Sequence, residues 1–309
     1  MGAEVTDTTN SKFVPEAQPR RATQDAPQIV ASKGTQTPLV MVTAYDAPSA
    51  RAVDAAGADM ILVGDSVAMV VLGYENTLHV TTDDMVHHVA AVARTKPSAL
   101  VVGDLPWLSY HVSIDDTVRN AAALVRAGAG AVKLEGGRKR LPAVEAILAA
   151  EIPVMGHLGL TPQSVHALGG YRVQGRELEA ARAIVDDAIA LADAGCFAVV
   201  LECVPDAVAR LITDTVAIPT IGIGAGRHCD GQVLVFHDLL GLGQGPEPKF
   251  VRRYADLGDV AVSALAQFAD DVRAGSFPSS KETYHAADSL PDELRSFGPV
   301  GDAEEPAPA

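Results

Sequence analysis

Lys133 and Glu135 interrupt an apolar run, Ala131-Val-Lys-Leu-Glu135, at positions two apart. In an extended segment that spacing puts both on one face. Burying either charge costs several kcal/mol unless it is paired or holds a metal, so packing alone is a poor account of the pair. Other polar groups end short apolar runs in the same way: Asp65 with Ser66, Asp104 before Pro106, and Glu202 before Cys203. Three carboxylates, Asp65, Asp104 and Glu135, suit a hard divalent cation such as Mg²⁺. That ion takes one or two direct carboxylates, keeps several waters and leaves positions for substrate oxygens. Asp65 and Asp104 are the first candidates, with Glu135 third and through water. Each Asp also has a plainer reading as a helix N-cap; the three together with Lys133 favour a metal site. Glu202 is the candidate general base, its alternative being an ion pair with a basic residue such as Arg210. His157 is either an accessory group or a core histidine with satisfied hydrogen bonds. Ile221-Gly-Ile-Gly-Ala-Gly226 either brings backbone N–H groups near an anion or only relieves a crowded turn.

The elements that must hold these residues follow a repeat. Residues 55–66, 126–137 and 193–205 each close an Ala-rich helical stretch with a glycine (Gly57, Gly128, Gly195), then run through a short apolar segment to polar residues. Glycine ends a helix in a left-handed conformation without a Cβ clash. Short apolar runs alternating with amphipathic helices mark parallel strands covered by helices. Further runs at 39–44, 99–102, 153–155, 220–223 and 233–236 bring the expectation to about eight strands. Helices are expected at 47–56, 83–94, 117–127, 141–150, 177–194 and 206–214. The fold class is therefore α/β, a (β/α)₈ TIM barrel, whose active sites lie at the C-terminal strand ends. A doubly wound sheet competes less well, since no G-x-G-x-x-G follows an early strand. Residues 249–274 read as one or two further helices closing the outer layer.

Composition limits the function classes. The 309 residues carry 24 Lys and Arg against 39 Asp and Glu, a net charge of −15, which argues against binding a nucleic-acid backbone. No apolar run approaches the ~20 residues of a membrane span, and the first 30 residues lack a signal peptide's apolar stretch. Three cysteines with no CxxC give neither a disulfide framework nor a zinc site. A cytoplasmic protein is expected. Residues 1–28, rich in Thr, Pro, Gln and Ala, read as a disordered extension. Residues 286–309, with six acids against Arg295, read as an acidic disordered tail. Between them, residues 29–285 form one catalytic barrel domain.

Long motifs stand in order along this barrel: Val63-Gly-Asp-Ser66, Gly103-Asp-Leu-Pro106, Val132-Lys-Leu-Glu-Gly-Gly137, Gly156-His-Leu-Gly-Leu-Thr-Pro-Gln-Ser164, Gly169-Gly-Tyr-Arg-Val-Gln-Gly175 and Leu201-Glu-Cys-Val-Pro205. With Ile221–Gly226 they resemble the ketopantoate hydroxymethyltransferase family. The resemblance implies that Asp65, Asp104 and Glu135 hold Mg²⁺, and that Asp65, Ser66, Asp104 and Lys133 bind 3-methyl-2-oxobutanoate. It makes Glu202 the proton acceptor. It further implies 5,10-methylenetetrahydrofolate as one-carbon donor, a Mg-bound enolate on the way to 2-dehydropantoate in pantothenate biosynthesis, and a homodecamer of two pentameric rings. Departures from the family pattern are His79 in place of a usual Pro, Gly103 in place of a more frequent Ala, and the closing Lys281-Glu-Thr-Tyr284. The competing functions are a Mg²⁺-dependent 2-oxo-acid enzyme of the phosphoenolpyruvate mutase and isocitrate lyase type, and a non-catalytic barrel. The absence of a catalytic Cys in a lyase-like loop and the intact Lys133, Glu135 and Glu202 set favour the transferase.

Overall fold

A computed structural model of the chain describes residues 22–243 and 248–285. The expected acidic tail and the expected extension as far as residue 21 lie outside the described residues. The chain divides into two compact units, Met1–Ala255 and Asp256–Ala309.

The first unit is a closed barrel of eight parallel strands in sequential order: β1 (Leu39–Thr43), β2 (Met60–Val63), β3 (Leu100–Asp104), β4 (Ala131–Glu135), β5 (Val154–Gly159), β6 (Ala198–Glu202), β7 (Thr220–Ile223) and β8 (Gly231–Leu234), with β8 pairing back onto β1. Helices α1 (Ala26–Ala31), α2 (Ala47–Ala55), α3 (Val67–Val70), α4 (Thr82–Ala93), α5 (Ile114–Arg126), α6 (Leu141–Ala149), α7 (Val165–Leu168), α8 (Leu178–Asp193), α9 (Asp206–Thr215) and α10 (Phe236–Leu239) fill the connections. The (β/α)₈ reading is thus correct. The short helices α3, α7 and α10 were not expected.

Three boundaries correct the sequence reading. Helix α1 begins at Ala26, inside the expected disordered extension, because Asp25 and Gln28 form a capping box and Ile29 is fully buried. Residues 235–236 leave the eighth strand, and Phe236 opens α10 instead. The helical segment expected over 249–274 is a single helix, α11 (Leu257–Arg273), in the second unit.

The other helix starts follow local chemistry. Asp46 caps α2, Thr81 caps α4 and Ser113 caps α5, each side chain accepting a backbone N–H from three residues on. Helices α2, α5 and α8 end before Gly57, Gly128 and Gly195, all at positive φ, as the repeat requires.

Two apolar layers explain why every strand alternates. Leu39, Met41, Met60, Leu62, Leu100, Val102, Ala131, Met155, Ala198 and Val200 fill the barrel interior. Ile61, Val63, Val101, Val132, Leu134, Val154, Val199 and Leu201 belong to the cluster beneath the helices. With a side-chain period of two, the inward series on β4 runs Ala131, Lys133, Glu135. On β3 it ends at Asp104, on β5 it continues from Met155 to His157, and on β6 it ends at Glu202.

Candidate active site

Polar groups replace apolar ones at the C-terminal end of this inward series. Asp104 pairs in register with Lys133, Glu135 with His157, and Gly159 with Glu202, so the residues form a staggered ring. Asp104 ends β3 as expected, while His157 lies within β5 and not just after it. The Lys133 Nζ sits 2.7 Å from Asp104 Oδ1 and 3.4 Å from His157 Nδ1. His157 Nδ1 is 3.3 Å from Glu135 Oε1, and Nε2 is 3.2 Å from Glu202 Oε2. The Asp65 backbone N–H donates to Asp104 Oδ2 at 3.2 Å. The expected residues Asp65, Asp104, Lys133, Glu135, His157 and Glu202 therefore share one site. Ser66 adjoins it at the N-terminus of α3 and hydrogen-bonds Tyr45 through its Oγ at 2.9 Å. Arg210 is instead 3.7 Å from Asp214; the basic group paired with Glu202 is His157.

Three further residues hold the ring together, and sequence reasoning assigned none of them a role. Gln163 donates from Nε2 to Asp65 Oδ2 at 2.8 Å and to the Leu105 carbonyl at 3.0 Å, while its backbone N–H donates to Glu135 Oε2 at 3.0 Å. The Tyr110 hydroxyl donates to Gln163 Oε1 at 2.6 Å and accepts from the Glu135 backbone N–H at 3.2 Å. Tyr45 reaches Ser66. Gln163 lay inside a quoted motif; Tyr110 and Tyr45 carried no local signal.

Electrostatics set the protonation states. Burial, then the charges of Asp104 and Glu135, push the Asp65 carboxyl well above its ordinary value, against the pull of Lys133 and Gln163. Burial raises Asp104 as well, opposed by Lys133. Burial alone would lower Lys133, but Asp104, Glu135 and Asp65 more than offset it and hold the ammonium charged. For His157, burial and Lys133 pull down while Glu135 and Glu202 pull up, and the ring ends at about 9, protonated at neutral pH. The Cys203 thiol beside Glu202 is pushed up to about 11 by burial and that charge, which leaves it a poor nucleophile.

The donor set fits a divalent cation. Asp65, Asp104 and Glu135 are 4%, 1% and 4% exposed, and Lys133 and the protonated His157 reach Asp104 and Glu135 respectively. Asp104 Oδ1, although close to that ammonium, accepts no aligned hydrogen bond; such buried unspent acceptors call for an ion or ligand. Among the described residues no group of three or more His, Cys, Asp or Glu is spaced to grip a metal outright. Mg²⁺ binds through one or two carboxylates and completes its shell with water and substrate.

The backbone near Glu202 is held by one glycine. Gly159 has φ +91°, and a Cβ there would run into the Glu202 carbonyl and Val204. Gly159→Ala should cost about 1–3 kcal/mol of stability, the usual strain at such a position, and lower activity by displacing Glu202. Urea unfolding within 0.5 kcal/mol of wild type, roughly the scatter of neutral surface changes, would contradict that close approach.

Known proteins resemble this chain over most of its length. A family model described as ketopantoate hydroxymethyltransferase matches residues 23–280. The 3-methyl-2-oxobutanoate hydroxymethyltransferase of Moorella thermoacetica is 56% identical over 266 residues, covering 86% of this chain and 99% of the relative. That of Ignicoccus hospitalis is 60% identical over 240 residues, covering 78% and 91%. Among solved structures, the phosphoenolpyruvate phosphomutase of Streptomyces platensis subsp. rosaceus superposes with a TM-score of 0.55 at 15% identity, covering 89% of this chain and 96% of the other. A 2,3-dimethylmalate lyase gives 0.53 at 15%, covering 90% and 96%; at such identity the likeness shows the barrel fold alone. The chain belongs to the ketopantoate hydroxymethyltransferase family.

Proposed function

We infer that the protein transfers a hydroxymethyl group from 5,10-methylenetetrahydrofolate to 3-methyl-2-oxobutanoate, giving 2-dehydropantoate for pantothenate biosynthesis. The observation that carries this reading is the buried inward pair Lys133 and Glu135 on β4, meeting Asp104 on one side and, through His157, Glu202 on the other. The reaction needs C3–H of a 2-oxo acid to be acidified and removed, and this ring divides those tasks.

Asp65 and Asp104 are the residues that would hold Mg²⁺ directly, with Glu135 behind them. The ion would supply Lewis-acid polarisation of the 2-oxo group. Ser66, through its Oγ, would bind the 2-oxo acid beside Asp65 and Asp104. Lys133, held charged by its carboxylate neighbours, places positive charge where oxyanion character grows at the 2-oxo oxygen. Glu202 stands at the rim of the ring, its side chain 16% exposed, and takes the C3 proton. His157, protonated and bridging Glu135 and Glu202, keeps the base oriented toward the substrate. The C3 carbanion then forms a C–C bond to the folate's one-carbon unit; that carbon's bonds to the folate nitrogens break, water supplies the hydroxyl oxygen and the nitrogens regain protons, giving 2-dehydropantoate and tetrahydrofolate.

The family relatives support the transferase over a mutase or lyase. The cytoplasm is the compartment that fits: the three cysteines are unpaired, and among the described residues no helix is long and apolar enough to cross a membrane. Assembly into a homodecamer follows the family pattern.

The test is solvent deuterium exchange at C3 of 3-methyl-2-oxobutanoate, followed by NMR with and without Mg²⁺. Exchange that requires the metal is expected. Wild-type protein that exchanges nothing in saturating Mg²⁺ would remove the proton-abstraction reading.

A further inference from the structure

The ring of carboxylates is lined mostly by buried charged and polar groups, a poor seat for the flat ring of the folate donor. Next to that ring, however, the barrel mouth opens into a cavity of about 460 Å³ between the ends of β1 and β8 and helix α3. Its size falls in the ordinary range for a small-molecule site. Tyr45, Val70, Val71 and Phe236 supply flat or apolar walls, while Asp46 and His237 supply polar groups.

Three observations point to a heteroaromatic ligand there. The His237 Nδ1 is buried without a hydrogen-bond partner among the described residues, an unspent polar atom of the kind that calls for a ligand or water. Burial pushes that imidazole below its ordinary value, against the nearby Asp46 charge. The ring is therefore neutral at physiological pH and can donate or accept through Nδ1 according to tautomer. Asp46 spends Oδ1 on the Ser49 backbone N–H at 2.8 Å, capping α2, and its side chain is exposed at the cavity edge.

The cavity is also joined to the reacting centre. The Tyr45 side chain lines it, and its hydroxyl bonds Ser66 Oγ at 2.9 Å, so one buried tyrosine separates the cavity from the substrate residues. The chain following Ser66 exposes apolar side chains, Met69 41%, Val71 46% and Leu72 41%, of which Val71 lines the cavity. Exposed apolar clusters beside a cleft mark ligand surfaces.

We propose that this cavity binds the pteridine ring of the tetrahydrofolate donor, packed between Tyr45, Phe236 and Val71, with its amide and amino edge facing Asp46 and His237. The ring's 2-amino group and adjacent N–H are donors suited to a carboxylate, and its carbonyl and ring nitrogens suit a neutral imidazole. A second cavity of about 230 Å³, lined by His111, Lys139 and Arg140 beside Tyr110, is basic and suits carboxylates better than a pteridine. This assignment rests on the transferase reading above, since another reaction would bring no folate.

Calorimetric titration of the full-length protein, with Mg²⁺ and 3-methyl-2-oxobutanoate present, tests the assignment. The titrant is tetrahydrofolate, which lacks the one-carbon unit and allows no turnover. Val71→Trp, which fills the cavity from an exposed position, should weaken tetrahydrofolate at least tenfold, and His237→Ala several-fold; thermal melting checks that both variants fold. Either variant binding within twofold of wild type while folded would overturn the cavity as the pteridine site. So would loss of binding in Lys139→Ala with Val71→Trp unaffected, which would move the ligand to the basic cavity. Wild-type protein that exchanges C3 hydrogen yet binds no tetrahydrofolate overturns the assignment and leaves proton abstraction standing. If it neither exchanges nor binds, both readings fall.

Discussion

Glu202→Gln should retain 3-methyl-2-oxobutanoate binding within a few-fold and lose C3 exchange by roughly 10²–10⁴-fold, the usual contribution of a positioned base. The substitution keeps the shape of the side chain at the end of β6 and removes its basicity. Glu202 is suited to the task because its rim position leaves it reachable, whereas Asp65, Asp104 and Glu135 are sealed beneath. Its contact with the protonated His157 at 3.2 Å orients it. Calorimetry for binding and NMR for exchange separate the two roles. A variant that exchanges C3 hydrogen at the wild-type rate would exclude Glu202 as the base and turn attention to His157.

Lys133→Met is expected to have the largest effect on the fold as well as on activity. It removes the cation from among three buried carboxylates, and breaking a buried pair by deleting one partner costs about 3–5 kcal/mol. The pH dependence has a definite sign. Asp65 and Asp104 are raised above the ordinary 3.8 in the folded protein. The stability this contributes is present below the unfolded value and lost as pH rises through the raised folded values. Lys133 pulls both groups down, so its removal raises them further. The variant's deficit should therefore be greatest near pH 8 without metal, shrink as pH falls toward 5, and recover in part with Mg²⁺. Urea unfolding at both pH values, in chelator and in Mg²⁺, reads this directly. A variant as stable as wild type at pH 8 in chelator would show that the three carboxylates do not depend on Lys133 for their charge balance.

The legible part of the site came from residues that conflict with their surroundings. Lys133 and Glu135 stood out because a period-two apolar run has no other reason to hold charges on its inward face, and β4 places both there. The strand at 220–223 was read at its observed limits, since Pro219 and the following glycines bound it sharply. His157 was placed after its strand, because a polar residue looks like loop from local pattern alone. Phe236 looked like a strand residue for the converse reason: an apolar side chain extends a run whether or not the backbone has already turned into α10.

Gln163, Tyr110 and Tyr45 could not be found this way. Gln163 joins Asp65 from 98 positions away, and Tyr110 joins Glu135 from 25 positions away. Such contacts depend on which strands become neighbours once the barrel closes. The sequence by itself determined the eight-strand alternation, the helix caps and glycine stops, the family and the identity of the charged residues, because each is encoded over a few residues or in motif order. The tertiary structure alone decided which carboxylates share Lys133, that His157 bridges Glu135 and Glu202, that Arg210 pairs elsewhere, and where the mouth opens beside Tyr45. Those outcomes depend on the register between strands and on mutual burial, which a linear chain does not possess until it closes on itself.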